Sequence, residues 1–301
     1  MTQAILSKYI RPQVLNQLSR FKLEPRQLVE GTLAGAHKSP FHGFAVEFAS
    51  HREYVPGDDL RHLDWKVYFR HEKHVIKQYE METNLNCHLL LDISASMRYG
   101  DEDQQKLLYA SRLATTLAYL IVEKSDRVSL TTFDSKVRGS LPLSNNVRQI
   151  IKMTESLDAV NATDKTNVTD VLNEFAAGIA RRSIVIVVSD FFVDLDGLDK
   201  TLQRLRYDKH EVVLMQVMHH DEIYFSLEGM IRFIGLEDPD QFLTRPQDIR
   251  DGYLESLKKF TDEFTEICEA NRCEYITCDT SNDLGVTLAN YLQQRTMAGS
   301  L

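Results

Sequence analysis

Apolar runs typical of strands alternate with helical patterns from Cys87 onwards. The strand-like runs include residues 88–91, 183–188 and 211–218, and residues 253–270 have the spacing of a long amphipathic helix. Uninterrupted β-branched runs are typical of strands that are buried on both faces of a parallel sheet. Strands separated by helices indicate βαβ units, so this region predicts an α/β fold with a mainly parallel sheet flanked by helices.

The N-terminal part of the chain has a different pattern. Residues 12–38 hold helix-like stretches interrupted by proline and glycine, and residues 41–85 are strand-rich, with alternating apolar positions. We therefore expect an N-terminal helical and β-rich segment over residues 1–84. The α/β domain then covers residues 85–301 and carries an inserted hairpin near residues 221–250.

The strand-like run before Asp92 is followed by two serines at alternate positions. Because residues two apart on an extended chain point the same way, Asp92, Ser94 and Ser96 can direct three hard oxygen atoms to one point. Small hard cations such as Mg²⁺ prefer such ligands, and water completes the octahedron. The same residue types also favour helix caps, so this run alone leaves both interpretations open.

Two later residues complete a possible metal site. Thr166 lies just before an apolar helical pattern, and Asp190 follows the apolar run at residues 183–188. In open α/β sheets, ligands gather at the carboxyl ends of the strands, where Asp92 and Asp190 both fall. Taken together, these residues favour a metal site over a simple helix cap.

The set Asp92-x-Ser94-x-Ser96, Thr166 and Asp190 resembles the metal-ion-dependent adhesion site (MIDAS) of von Willebrand factor A domains. The resemblance implies a von Willebrand factor A-like, Rossmann-like fold and a bound Mg²⁺ or Mn²⁺. It also implies that the hydroxyls and aspartates bind the ion directly or through water. A carboxylate from a partner protein would take the remaining position.

Phe191 and Phe192 follow Asp190 at the place where von Willebrand factor A domains often have glycine. Both rings could pack inward beneath a loop. Alternatively, one of them could form an apolar rim around a charged centre and contact a partner protein, which is a common interface layout. The sequence leaves these two interpretations open.

A second resemblance lies upstream, in the run Gly57-Asp-Asp-Leu-Arg-His-Leu-Asp-Trp65. Together with residues 43–48 and 52–54, this run is similar to the bacterial family called domain of unknown function 58. The resemblance covers roughly residues 12–295. It implies that the partner is a MoxR-type AAA+ ATPase, or a client protein that such an ATPase remodels.

The role of the Gly57–Trp65 run has two interpretations. Its charged residues, among them Arg61, could satisfy one another by charge-assisted hydrogen bonds while Trp65 anchors the segment. Arg61 and Trp65 could instead belong to a partner-docking surface. The structural interpretation is favoured.

The composition is that of an ordinary globular protein, with 43% hydrophobic and 26% charged residues. A formal net charge of −9 argues against nucleic acid or an anionic membrane as the main partner. The sequence shows neither a membrane span nor an export signal, so we expect a cytoplasmic protein. Its four cysteines match no common zinc spacing and are expected to be reduced.

Enzyme signatures are missing from the sequence. It contains no P-loop, no Gly-x-Ser-x-Gly elbow and no Gly-x-Gly-x-x-Gly loop. A phosphatase of the haloacid dehalogenase type needs a second aspartate where this chain has Ser94. We therefore expect a non-enzymatic, metal-dependent protein-binding adaptor. A metal-dependent hydrolase that uses Asp92 and Asp190 is the first alternative, and a structural module whose site stays empty is the second.

Overall fold

A computed structural model of the protein describes residues 2–21, 23, 46–55, 63–81, 85–160, 165–179, 181–236 and 241–298. The chain divides into two units. The first combines Met1–Arg26 with Leu85–Leu301, and the second is Gln27–Asn84.

The strands, in chain order, are β1 (Val46–Glu53), β2 (Val75–Met81), β3 (Asn86–Asp92), β4 (Arg127–Phe133), β5 (Val137–Ser144), β6 (Ile184–Ser189), β7 (Glu211–Met218), β8 (Ile231–Ile234), β9 (Gln241–Thr244) and β10 (Glu274–Asp279). The α-helices are α1 (Thr2–Tyr9), α2 (Pro12–Leu18), α3 (Trp65–His71), α4 (Lys106–Glu123), α5 (Arg148–Asp158), α6 (Val168–Gly178), α7 (Leu195–Tyr207), α8 (His220–Tyr224), α9 (Pro246–Ala270) and α10 (Leu284–Ala298). Two short 3-10 helices, Ala95–Arg98 and Glu102–Gln104, lie between β3 and α4.

A six-stranded sheet in the order β10-β7-β6-β3-β4-β5 forms the centre of the first unit. Every neighbouring pair is parallel except β4 and β5, which are antiparallel. All residues of β6 are buried, as expected for a β-branched run in the middle of a sheet with helices on both faces. This architecture confirms the α/β fold with a mainly parallel sheet flanked by helices that was expected from the sequence.

Two hydrophobic cores lie on opposite faces of the sheet. One contains apolar side chains from α1, α2, α4, α5 and α10. The other contains side chains from α6, α7 and α9. Because successive strand residues point to opposite faces, Leu89 and Leu91 of β3 enter the first core and Leu90 enters the second.

Helices α1 and α2 lie in the first unit, whereas the sequence analysis grouped residues 1–84 as one segment. Tyr9, Val14 and Leu18 are buried in the core that α4 also contributes to. Helix α1 contacts α4 and α5, and α2 contacts α4 and α10. The apolar stripe of these helices therefore belongs to the α/β unit, and this pairing could not be inferred from local pattern alone.

The second unit contains the antiparallel pair β1 and β2, with a bulge between Phe48 and Ser50. Helix α3 begins at Trp65, and the side chain of Asp64 caps it by accepting a hydrogen bond from the backbone N of Lys66 at 2.9 Å. Trp65 is 52% exposed and packs edge-on against Tyr68 of the same helix. Arg61 and the other residues of the predicted charged network before Leu63 lie outside the described residues.

The predicted insertion near residues 221–250 contains α8, the antiparallel hairpin β8–β9 and the beginning of α9. Phe233 and Phe242 stack across the hairpin with their ring centroids 5.2 Å apart. Among the described helices, none combines the length and the apolar character needed to cross a membrane.

Leu18→Ala is expected to lower the free energy of unfolding by about 2–5 kcal/mol, since Leu18 is fully buried and the truncation leaves a cavity. Urea unfolding followed by circular dichroism measures this loss. Gln13→Ala, an exposed position in the same helix, is the control and should change stability by less than about 0.5 kcal/mol. Equal effects of the two substitutions would show that α2 does not pack in the core.

Candidate metal centre

The predicted ligands lie at the carboxyl edge of the central sheet. Strand β3 ends at Asp92, and Asp190 directly follows β6, which pairs with β3 in parallel. Ser94 caps the 3-10 helix Ala95–Arg98 that follows β3, and Ser96 lies within that helix. Thr166 lies two residues before α6. Asp92, Ser94 and Asp190 are fully buried.

Asp92 is the centre of the hydrogen-bond network at this edge. Its Oδ1 accepts from the backbone N of Ser94 at 2.8 Å. Its Oδ2 accepts from Thr166 Oγ1 at 2.9 Å and from Ser189 Oγ at 2.6 Å. The hydroxyl oxygens of Ser94 and Ser96 are 3.1 Å apart. The structure thus brings Asp92, Ser94, Ser96 and Thr166 together, as the sequence predicted.

The surroundings of Asp92 disfavour its ionised form. Burial, and then the negative charge of Asp190, raise the pKa of Asp92 from 3.8 to about 6. Hydrogen bonds from Ser189 and Ser94 act in the opposite direction but do not cancel the rise. Two buried carboxylates that repel each other form an environment that a cation would stabilise.

The two carboxylate oxygens of Asp190 have different surroundings. Oδ2 accepts a hydrogen bond from Lys106 Nζ at 2.8 Å. Oδ1 is buried and has no hydrogen-bond partner among the described residues. The backbone carbonyl of Asp190 accepts from Gln216 Nε2 at 2.9 Å, which fixes the strand end. A buried carboxylate oxygen without a donor is costly, and a bound cation would satisfy it.

Sequence reasoning missed Lys106, the first residue of α4. Its side chain is 1% exposed and its ammonium contacts Glu222 Oε1 at 2.9 Å as well as Asp190. Burial alone would lower the pKa of Lys106, but the charges of Asp190 and Glu222 outweigh it and the pKa is raised. One signal was available, because a cation in the first turn of a helix opposes the helix dipole and needs a compensating anion.

Ser189 is the second residue that the sequence analysis missed. Its hydroxyl donates to Asp92 Oδ2 and accepts from the backbone N of Phe191 at 3.1 Å. It therefore links the ends of β3 and β6. A serine that ends a wholly apolar strand just before a candidate ligand was the available signal.

Phe191 and Phe192 point to different environments. Phe191 has a left-handed backbone conformation with φ of 56° and is fully buried, with its ring centroid 5.3 Å from that of Phe264. Phe192 is 43% exposed, and its ring centroid lies 5.9 Å from Lys106 Nζ. Phe191 is a core residue and is not available for a partner, so the rim hypothesis is left to Phe192 alone.

Within the described residues, no three His, Cys, Asp or Glu side chains are placed to hold a metal ion. A cation at this edge would therefore depend on the Ser and Thr hydroxyls as well as on Asp92 and Asp190. Hydroxyl groups that donate a proton to a neighbour keep lone pairs for a cation.

Asp92→Asn is expected to gain stability relative to the native protein as the pH rises from 4.5 to 7.5 in EDTA. The raised folded-state pKa of Asp92 contributes stability below pH 3.8 that is lost as the pH rises through about 6. The difference in unfolding free energy between the two proteins should shift by about 2 kcal/mol, because pH 4.5 already lies above the unfolded-state pKa of 3.8 and part of the effect is lost there. Urea unfolding at both pH values measures the shift, and a difference that is independent of pH would contradict the assigned surroundings of Asp92.

The chain matches one protein family and several curated proteins. The family described as "Protein of unknown function DUF58" matches residues 50–261. Uncharacterized proteins of Mycobacterium bovis and of Mycobacterium tuberculosis are each 22% identical over 210 residues, which are 69% of this chain. The match spans 66% of the length of each of these curated relatives.

Three solved structures are similar to the chain. BatB from Bacteroides thetaiotaomicron has a TM-score of 0.47 at 16% identity, covering 72% of this chain and 100% of BatB. An aerotolerance-related membrane protein from Bacteroides fragilis has a TM-score of 0.47 at 18% identity, covering 70% and 99%. The SpRpn10 von Willebrand A domain has a TM-score of 0.42 at 12% identity, covering 69% and 95%. The family match covers most of the chain, and the protein belongs to the family of unknown function DUF58.

Proposed function

We propose that the protein is a non-enzymatic adaptor that binds another protein through a divalent cation, Mg²⁺ or Mn²⁺. The ligands would be Asp92, Ser94, Ser96, Thr166 and Asp190. One observation carries the proposal: three hydroxyl residues converge around Asp92 beside a buried oxygen of Asp190 that has no hydrogen-bond partner in the described part of the chain. An assembly of hydroxyls around two buried carboxylates is difficult to explain as a structural element alone, because none of the described residues satisfies Asp190 Oδ1.

The chemistry of the ligand set suits a hard divalent ion. All of the side-chain atoms offered are oxygens, two from carboxylates and three from hydroxyls, and Mg²⁺ prefers oxygen ligands in an octahedral arrangement. A bound ion would offset the mutual repulsion of Asp92 and Asp190 and would supply an electrophilic centre at the edge of the sheet. Ser94, Ser96 and Thr166 would orient it from one side.

A carboxylate of the partner protein would complete the coordination. Ser96 and Thr166 are partly exposed while Asp92 and Asp190 are buried, so the hydroxyl side of the site is the accessible one. Phe192 provides an apolar surface close to it. Recognition would thus combine a charged centre with an apolar rim, which gives selectivity for an acidic residue next to apolar ones.

The identity of the partner is inferred from the family resemblance. The resemblance to the family called domain of unknown function 58 implies an association with MoxR-type AAA+ ATPases. We infer that such an ATPase, or a client protein that it remodels, is the partner and that the chain serves maturation or assembly of other proteins, working in the cytoplasm.

A pull-down from native cell lysate tests the adaptor function. The native protein should retain an AAA+ ATPase, identified by mass spectrometry, in Mg²⁺ and should lose it in EDTA. Asp190→Asn should lose the ATPase in Mg²⁺, because it removes the charge of a ligand without a large change of shape. Asp262→Ala, which changes an exposed aspartate on α9, is the matched control and should retain it.

Retention of the ATPase by the native protein in EDTA, or by Asp190→Asn in Mg²⁺, would contradict a metal-bridged contact. Turnover of a phosphoester that is lost in the Asp92→Ala protein would favour the hydrolase instead. An absence of Mg²⁺ and Mn²⁺ binding in calorimetry would favour a structural module.

Phe192→Ala is expected to weaken partner binding roughly tenfold, since the loss of an exposed aromatic anchor at an interface costs at least about 1–2 kcal/mol. The affinity for Mn²⁺, measured by calorimetry, should stay within about twofold of the native value because the oxygen ligands are unchanged. Tyr207→Ala removes an aromatic side chain that is 86% exposed at the end of α7 and should leave both affinities unchanged. Partner binding by Phe192→Ala at the native level would exclude the apolar rim.

A further inference from the structure

The ammonium of Lys106 lies between two carboxylates in a buried position. Nζ donates to Asp190 Oδ2 at 2.8 Å and to Glu222 Oε1 at 2.9 Å, and only 1% of the side chain is exposed. Lysine is almost never fully buried unless it is paired, and burial of this group carries a desolvation cost that its two carboxylate partners oppose.

Glu222 is itself held on both of its sides. Its Oε2 accepts from the backbone N of His219 at 2.8 Å as part of the capping box of α8. Its carbonyl accepts from the hydroxyl of Tyr253 on α9 at 2.8 Å. Glu222 is therefore a fixed anchor for the ammonium, and Lys106 connects α4, α8 and the end of β6.

The two carboxylate oxygens of Asp190 differ in this arrangement: Oδ2 accepts a hydrogen bond from Lys106, and Oδ1 accepts none from the described residues. Because Oδ2 is occupied by Lys106, only Oδ1 is available to a cation. Asp190 is thereby prepared to offer a single oxygen, directly or through water. The three carboxylates Asp92, Asp190 and Glu222 with one ammonium leave two negative charges, which one divalent ion balances.

We propose that Lys106, held by Glu222, is a positioning residue for the metal centre that fixes Asp190 so that Oδ1 alone faces the ion. The proposal deepens the metal-binding function and rests on it. Residues that hydrogen-bond to metal ligands orient them, and their loss commonly weakens metal binding about 10- to 100-fold. Lys106 touches a ligand and not the ion, so its effect on the ion passes through Asp190.

The double variant Lys106→Met/Glu222→Gln tests the proposal. It removes one positive and one negative charge, so the net charge of the site is unchanged and a change in affinity does not come from charge alone. We expect the dissociation constant for Mn²⁺, measured by electron paramagnetic resonance, to rise about 10- to 100-fold. Lys152→Met/Glu155→Gln makes the same change at two exposed positions of α5 and should leave it unchanged.

A further comparison separates positioning from general loss of structure. Asp190→Asn should weaken Mn²⁺ binding much less in the Lys106→Met/Glu222→Gln background than in the native protein, because both changes act on the same ligand. If Lys106→Met/Glu222→Gln does not fold, as judged by circular dichroism, Lys106→Gln/Glu222→Gln replaces it, because its amides can satisfy the buried polar groups. The amide at position 106 is uncharged and one atom shorter than lysine, so it holds Asp190 less firmly and a smaller rise of the dissociation constant is expected.

The outcomes distinguish this inference from the function on which it rests. Native binding of Mn²⁺ together with native-like affinity in the double variant overturns the role of Lys106 and leaves the metal site standing. Additive effects of Asp190→Asn and the double variant also overturn it. Failure of the native protein to bind Mn²⁺ overturns the proposed metal site, and the role of Lys106 with it.

Discussion

Two buried carboxylates at the ends of neighbouring parallel strands constrain the whole carboxyl edge of the sheet. Asp92 and Asp190 are removed from water, and their charges repel each other. Each carboxylate therefore needs hydrogen-bond donors or a positive charge from the protein. Both oxygens of Asp92 accept hydrogen bonds from hydroxyl or backbone donors, and Oδ2 of Asp190 accepts one from the ammonium of Lys106. Asp190 Oδ1 has no donor among the described residues, and it is the oxygen that we propose a cation would contact.

The contacts that offset the charge of Asp190 also connect helices that are distant in sequence. Lys106 opens α4, while Glu222 lies in α8 and is held by Tyr253 of α9. Any movement of Asp190 therefore has to be accommodated at Lys106 and Glu222. A protein that uses a metal ion to recognise a partner gains from such rigidity, because a pre-organised ligand set loses less conformational freedom when the ion binds.

The sequence predicted the parts of the structure that depend on local pattern. The apolar runs predicted β3 and β6. Asp92, Ser94 and Ser96 converge as expected, although Ser96 does so from the 3-10 helix after β3 and not from an extended chain. Lys106 could not be found in this way, because its partners lie 84 and 116 residues further along the chain. The packing of α1 and α2 on the α/β unit was missed for the same reason, since an amphipathic helix does not specify which core it joins.

The most direct measurement is an anomalous difference map from crystals of the protein soaked in Mn²⁺. We expect one strong peak at the carboxyl edge of the sheet, coordinated by the Ser and Thr hydroxyls beside Asp92, with Asp190 Oδ1 facing it and Lys106 still bound to Asp190 Oδ2. A map with no peak there, or with Lys106 displaced and both oxygens of Asp190 on the ion, would contradict the account.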